Sequence, residues 1–185
     1  MSLLVFTPAC PLTWRRQCIQ LELRNDHGWA SLLHTYNISL SAAQKTKILF
    51  ALTCSRDKNK LHRLLDLGLE GKVIRSQDLS SLILMVARNP QGHHLAWDFV
   101  KQNWDTLVQK FQLGSFCIRS IVIGTTGQFS TPEELTEVQL FFESIKEQAS
   151  QLRATRVALD NVQKNVRWFQ RNLEPLRTWL NKQMK

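Results

Sequence analysis

Five histidines, His27, His34, His62, His93 and His94, are the side chains here best suited to hold a metal or move a proton near neutral pH. A catalytic zinc site asks for two imidazoles one helical turn apart with a carboxylate beside them, as in H-E-x-x-H. No histidine stands in that pattern. His94 and Asp98 are four residues apart and could share a metal on one side of a helix, but a histidine at a helix start reads as structural, and no metal ligand is assigned. Nucleophilic catalysis fares no better, for there is no G-x-S-x-G elbow. No glycine-rich loop is present to cradle a phosphate. The residues by themselves outline no active site.

Cys10, Cys18, Cys54 and Cys117 show neither paired zinc spacing nor a dense disulfide framework. Cys54 and Cys117 are expected as small buried apolar residues on helices. Asn37-Ile38-Ser39 is an N-glycosylation sequon, with chemical meaning only if the chain enters the secretory pathway. The net charge of +9 raises the question of nucleic acid. The basic residues are scattered, however, and the densest run is the tail from Arg153, with eight Lys or Arg against Asp160 and Glu174. With no groove-reading motif, most of this charge belongs to solvated helix faces, and nucleic acid is not the expected partner.

Elements to position these side chains are read from spacing. Only seven Gly and five Pro in 185 residues leave little room for loops, and no Asn-Gly or Asp-Gly hairpin signal occurs. The expected class is all-α. Trp97, Val100, Trp104, Leu107, Val108 and Phe111 repeat at helical spacing, so Leu95 to Phe111 forms one amphipathic helix with an aromatic buried stripe. Ser41-x-x-Gln44 is a capping box, Gly68 and Gly71 close the helix through Leu61 and Leu65, and Ser76 caps the next one. Residues 115–124, although rich in Ile and Val, read as a buried helix because every neighbour is helical. Thr131-Pro132-Glu133-Glu134 is a clear helix start. A long helix spans about Gln151 to Asn172, Pro175 kinks or ends it, and a short terminal helix follows. No run reaches the roughly 18 apolar residues that a membrane span needs. MSLLVFTPAC lacks a basic n-region, so the default compartment is the cytoplasm.

From about Trp29 to Trp179 the chain resembles the C-terminal helical domain of the oxytocinase-type zinc aminopeptidases, most of all the endoplasmic reticulum aminopeptidases. The stretches that carry the resemblance are KILFAL (47–52), GKVIRSQDL (71–79), ARNPQGHHLAWDFVKQNWDTLVQKFQLGS (87–115), GTTGQFST (124–131) and VRWFQRNLEPLRTWL (166–180). The resemblance implies a HEAT/armadillo-like α-solenoid of antiparallel helix pairs, which agrees with the about eight or nine helices that spacing suggests. It also implies a bowl that caps a separate catalytic domain and meets the distal part of bound peptides. The family's zinc ligands and its G-x-M-E-N motif have no counterpart here, so no catalytic residue and no cofactor carry over; zinc belongs to the full-length family.

Residues 1–28 are expected to be an unrelated leader, and 29–185 the helical domain, with Trp29, Leu32 and Leu33 on or near the uncapped apolar face of its first helix, which the leader could cover through Leu21, Leu23 and Trp14. The expected function is a non-catalytic module that binds peptides or the catalytic part of a related enzyme. Arg88, Arg119, Arg153 and Arg156 are the candidates to meet a peptide carboxylate. The alternative is a fragment or isoform of an active zinc metalloaminopeptidase; a basic nucleic-acid module is remote. The resembled family resides in the endoplasmic reticulum lumen or at its membrane, where Asn37 would be modified.

Overall fold

The structure is a computed structural model that describes residues 26–184. Among these residues are ten α-helices and one 3-10 turn, and no strand. The expected all-α class is the one observed. Chain contacts divide the protein into two units, one ending at Gln91 and one beginning at Gly92.

The first unit holds α1 (Asp26–Ile38), α2 (Ala42–Leu52), α3 (Lys58–Glu70) and α4 (Leu79–Ala87), in which α1 packs on α2 and α3 on α4. Polar side chains start the helices by taking N–H groups that have no partner inside the helix. Ser41 Oγ accepts from Gln44 N at 3.4 Å, and Asp57 Oδ1 accepts from Asn59 N at 2.9 Å. The Ser41 box is only half made, since Gln44 Oε1 accepts instead from Ser39 Oγ at 2.9 Å. Gly71 closes α3 at φ +75°, and a Cβ there would lie 2.4 Å from Ser76 Oγ.

Ser76 is not the cap that its type and place suggest. Ser76–Asp78 form the 3-10 turn, and α4 starts without a side-chain cap. The Asp78 carboxylate is engaged elsewhere: its Oδ2 accepts from Tyr36 Oη at 3.1 Å and from Arg75 Nε at 2.9 Å. Trp29 is buried, while Leu32 and Leu33 are half-buried. Cys54 is also not an apolar helix residue. It lies in the turn after α2, half-buried and disulfide-bonded, whereas Cys117 is a free thiol on a helix. Of the expected leader, residues 1–25 lie outside the described residues, and α1 runs through Gly28.

The second unit holds α5 (His93–Gln102), α6 (Trp104–Phe111), α7 (Phe116–Thr126), α8 (Pro132–Ser144), α9 (Lys146–Gln151) and α10 (Arg153–Gln183). The single aromatic helix expected from Leu95 to Phe111 is two helices, parted at Asn103 (φ −111°, ψ 19°). The Phe99 carbonyl accepts both Asn103 N at 3.0 Å and Asn103 Nδ2 at 2.9 Å, a local side-chain bond that competes with regular helix. The apolar stripe survives the break, with Trp97, Val100, Trp104 and Leu107 all buried. Trp97 meets Phe129, Phe141 and Phe142 edge-on at 6.2, 5.1 and 6.2 Å between ring centroids. Trp104 stands edge-on to Phe141 at 5.7 Å and donates its indole N–H to Gln148 Oε1.

Residues 115–124 fall in helix α7, as their neighbours suggested, capped by Ser115 Oγ. The Thr131 capping box is complete. Helix α9 was not expected. The end of the chain also departs from expectation: α10 continues through Pro175 as one helix of 31 residues. Proline removes one helix N–H and crowds the carbonyl four residues back. Residues 167–179 are exposed, so solvent takes the orphaned carbonyl and the helix goes on.

Candidate functional site

Among the described residues, a group of three side chains able to hold a metal lies in the second unit, where the first turn of α5 meets the loop before α8. Three elements build it. Helix α5 starts at His93, so two adjacent imidazoles leave its first turn. The loop contributes Phe129, which is fully buried and anchored from α10. There Asn165 Nδ2 donates to the carbonyls of Gly127 at 3.1 Å and Phe129 at 2.9 Å. Helix α8 contributes Glu134, its third residue and the acidic member of its capping box.

Glu134 divides its carboxylate between two tasks. Oε2 accepts from the backbone N–H groups of Ser130 at 2.8 Å and Thr131 at 2.9 Å. Oε1 lies 3.4 Å from His94 Nε2. The His94 ring stacks on Phe129 at 5.4 Å with 25° between planes, and the His93 and His94 rings are 4.1 Å apart. One ligand atom from each of His93, His94 and Glu134 can be chosen so that all three lie within 4.8 Å of one another. Glu134 and His93 are half-buried and His94 is exposed.

The partner that spacing proposed for His94 is occupied. Asp98 pairs with Lys101 Nζ at 2.9 Å, and the same ammonium reaches Glu137 Oε1 at 2.5 Å, joining α5 to α8. Burial alone would lower the Lys101 pKa, but the hydrogen bonds to Glu137 and Asp98 outweigh it and the net shift is upward. Glu134 stands forty positions beyond His94 in sequence, so no local spacing pointed to it. The only sign of it was the capping box, which fixes where its carboxylate sits.

The four arginines proposed to meet a peptide carboxylate are all exposed. Arg88 follows α4 in the first unit; Arg119 lies on α7, and Arg153 and Arg156 on α10, in the second. Asn37 is exposed near the end of α1. Among the described residues no helix is long and apolar enough to cross a membrane.

Packed sequential helices, without a strand among the described residues, define an all-α domain. Residues 11–164 match the family described as ERAP1-like C-terminal domain, a match that begins within the stretch before Gly28. The chain belongs to that family, the C-terminal helical domain of oxytocinase-subfamily aminopeptidases. It is 53% identical over 153 residues to endoplasmic reticulum aminopeptidase 2 of Bos taurus, covering 83% of this chain and 16% of the relative. Against endoplasmic reticulum aminopeptidase 1 of Mus musculus it is 43% identical over 160 residues, 86% of this chain and 17% of the relative. Against the thyrotropin-releasing hormone-degrading ectoenzyme of Rattus norvegicus it is 33% identical over 168 residues, 91% and 16% respectively. The chain thus spans about a sixth of the length of the curated relatives it matches.

Proposed function

We propose that this chain is the peptide-handling, non-catalytic part of an aminopeptidase system, a HEAT-like stack of helix pairs that binds peptides or the catalytic part of a related enzyme. The observation that carries this reading is the family match over residues 11–164, together with relatives named as aminopeptidases. The sequence holds neither H-E-x-x-H nor G-x-M-E-N, the motifs that a peptide-bond-cleaving member would need. Arg88, Arg119, Arg153 and Arg156 remain the proposed contacts for a peptide carboxylate; each is exposed and available to an anion.

A second reading has its own support. The chain spans about a sixth of its relatives, so it fits equally a piece of an active zinc metalloaminopeptidase. Compartment follows from the same relatives. Their name places them in the endoplasmic reticulum, and a disulfide at Cys54 suits an oxidising lumen. Neither observation supports the cytoplasm expected from the first ten residues, and we place the chain in the lumen with Asn37 glycosylated.

Three measurements test these proposals. Purified chain with added zinc, assayed on a fluorogenic leucyl substrate, is expected to show no turnover; chelator-sensitive hydrolysis would overturn the non-catalytic reading. Fluorescent peptides with a free C-terminal carboxylate are expected to bind more tightly than their amidated twins, with the preference lost on replacing the arginines. Equal binding of the two peptides removes the carboxylate contact. Translation in the presence of microsomes is expected to give a glycosidase-sensitive product that Asn37→Gln abolishes.

A further inference from the structure

We propose that His93, His94 and Glu134 form a binding site for a zinc-class divalent metal ion. A tetrahedral zinc holds imidazole nitrogen and carboxylate oxygen at roughly 2.0–2.2 Å, which sets neighbouring ligand atoms about 3.3–3.6 Å apart. His94 Nε2 and Glu134 Oε1 already stand at 3.4 Å. All three ligand atoms lie within 4.8 Å of one another, so no separation exceeds that edge by more than about 1.5 Å. Modest χ rotations of an exposed and a half-buried imidazole close such a gap.

What distinguishes this trio from a chance meeting of polar side chains is its support. Metal-binding side chains work when a second set of contacts orients them. Glu134 is held through Oε2 by the N–H groups of Ser130 and Thr131, which leaves Oε1 turned toward His94. His94 is held by its stack on Phe129, and Phe129 in turn by the clamp that Asn165 places on its carbonyl. Two neutral imidazoles and one carboxylate reduce a divalent charge to a net +1. The donor set favours zinc and its neighbours nickel and copper over magnesium or calcium, which want oxygen only. Three protein ligands leave the fourth position open. Without a metal, the contact between His94 and Glu134 would stand as a two-residue pair. The metal site requires His93, and that separates the two.

The test is a zinc titration of the full chain against a chromogenic chelator, repeated with His93→Ala, His94→Ala, Glu134→Gln and Cys117→Ser. Glutamine also serves at the third position of a capping box, so Glu134→Gln keeps the helix start while it removes the anionic ligand. We expect one zinc bound per chain and a thermal midpoint that rises with zinc. Each of the three ligand variants should lose at least about tenfold in affinity, no less than loss of an orienting contact typically costs. Cys117→Ser should bind as the parent does. Cobalt substituted for zinc should give the intense visible bands of a tetrahedral centre. Absence of stoichiometric zinc, affinity unchanged in His93→Ala, or affinity lost in Cys117→Ser would each overturn the site. Should Glu134→Gln fail to fold, as circular dichroism would reveal, the two histidine variants decide the matter alone.

Discussion

The hydroxyl of Tyr36 donates to Oδ2 of Asp78 at 3.1 Å, an oxygen that also takes Arg75 Nε at 2.9 Å. The bond spans 42 residues and ties α1 to the turn that opens α4. Burial, then the Asp78 charge and the hydrogen bond to it, push the Tyr36 pKa above its ordinary value near 10. The phenol is therefore more acidic in the unfolded chain. Its contribution to stability is complete below the unfolded value and is lost as pH rises through the folded one. Denaturant unfolding at pH 8 should show Tyr36→Phe less stable than the parent by about 1–3 kcal/mol. As pH rises beyond 10, the parent should lose this advantage, and the two curves should converge. A gap that does not narrow would refute the linkage.

Each unit uses an asparagine to hold a loop. Asn89 Nδ2 donates to the carbonyls of Thr53 and Ser55, both at 2.7 Å, and Asn165 Nδ2 does the same for Gly127 and Phe129. In both, one amide bridges carbonyls two residues apart. Asn89→Ala and Asn165→Ala should each cost about 1–3 kcal/mol, because carbonyls lose their donor. The experiment is chemical denaturation. Asn165→Ala should in addition weaken zinc binding, since it frees the loop beneath His94, whereas Asn89→Ala should leave it alone.

Gly68 marks a close approach between α3 and α4. A Cβ there would come within 2.8 Å of Leu82 Cδ2 and 3.0 Å of Leu79 Cδ1. Gly68→Ala gains helix propensity, roughly 1 kcal/mol at an exposed site, but overpacks a filled contact, typically by 1–3 kcal/mol. The crowding should win, with a lowered melting temperature. An unchanged or higher one would mean that the leucines yield freely.

Trp97 is fully buried, yet its indole N–H has no acceptor among the described residues. Trp97→Ala should cost about 3–5 kcal/mol through cavity and lost burial. Trp97→Phe should cost clearly less, because it keeps a ring among Phe129, Phe141 and Phe142 and deletes the unsatisfied donor. Equal losses in the two variants would show that ring stacking contributes little.

Much of the fold was legible because it rests on local chemistry. The Thr131 box and the Gly71 stop are decided within a few residues, and both lie where spacing puts them. Misreadings arose where a side chain was used at long range or where a local rule was outweighed. Asp78 serves Tyr36 instead of a helix start, Asn103 turns its amide on its own backbone, and Pro175 is tolerated because its neighbourhood is solvated. The candidate metal site was barely legible, and no metal ligand was assigned from spacing. His94 was weighed as a ligand, but with Asp98, and Glu134 becomes its neighbour only after α5 and α8 have packed, which no periodicity encodes.

Helix α10 changes character partway along. Its buried residues, Ala154, Thr155, Ala158, Val162 and Val166, all precede Arg167, whereas Trp168, Phe169, Leu173, Leu176 and Trp179 face outward. The peptide bonds after Arg167, Arg171, Arg177 and Lys182 therefore lie on a stretch of helix that little packing protects from local unwinding. Trypsin should find its earliest cuts there. The cleaved chain would keep every buried residue of α10, and so the part of that helix that anchors the loop under His94.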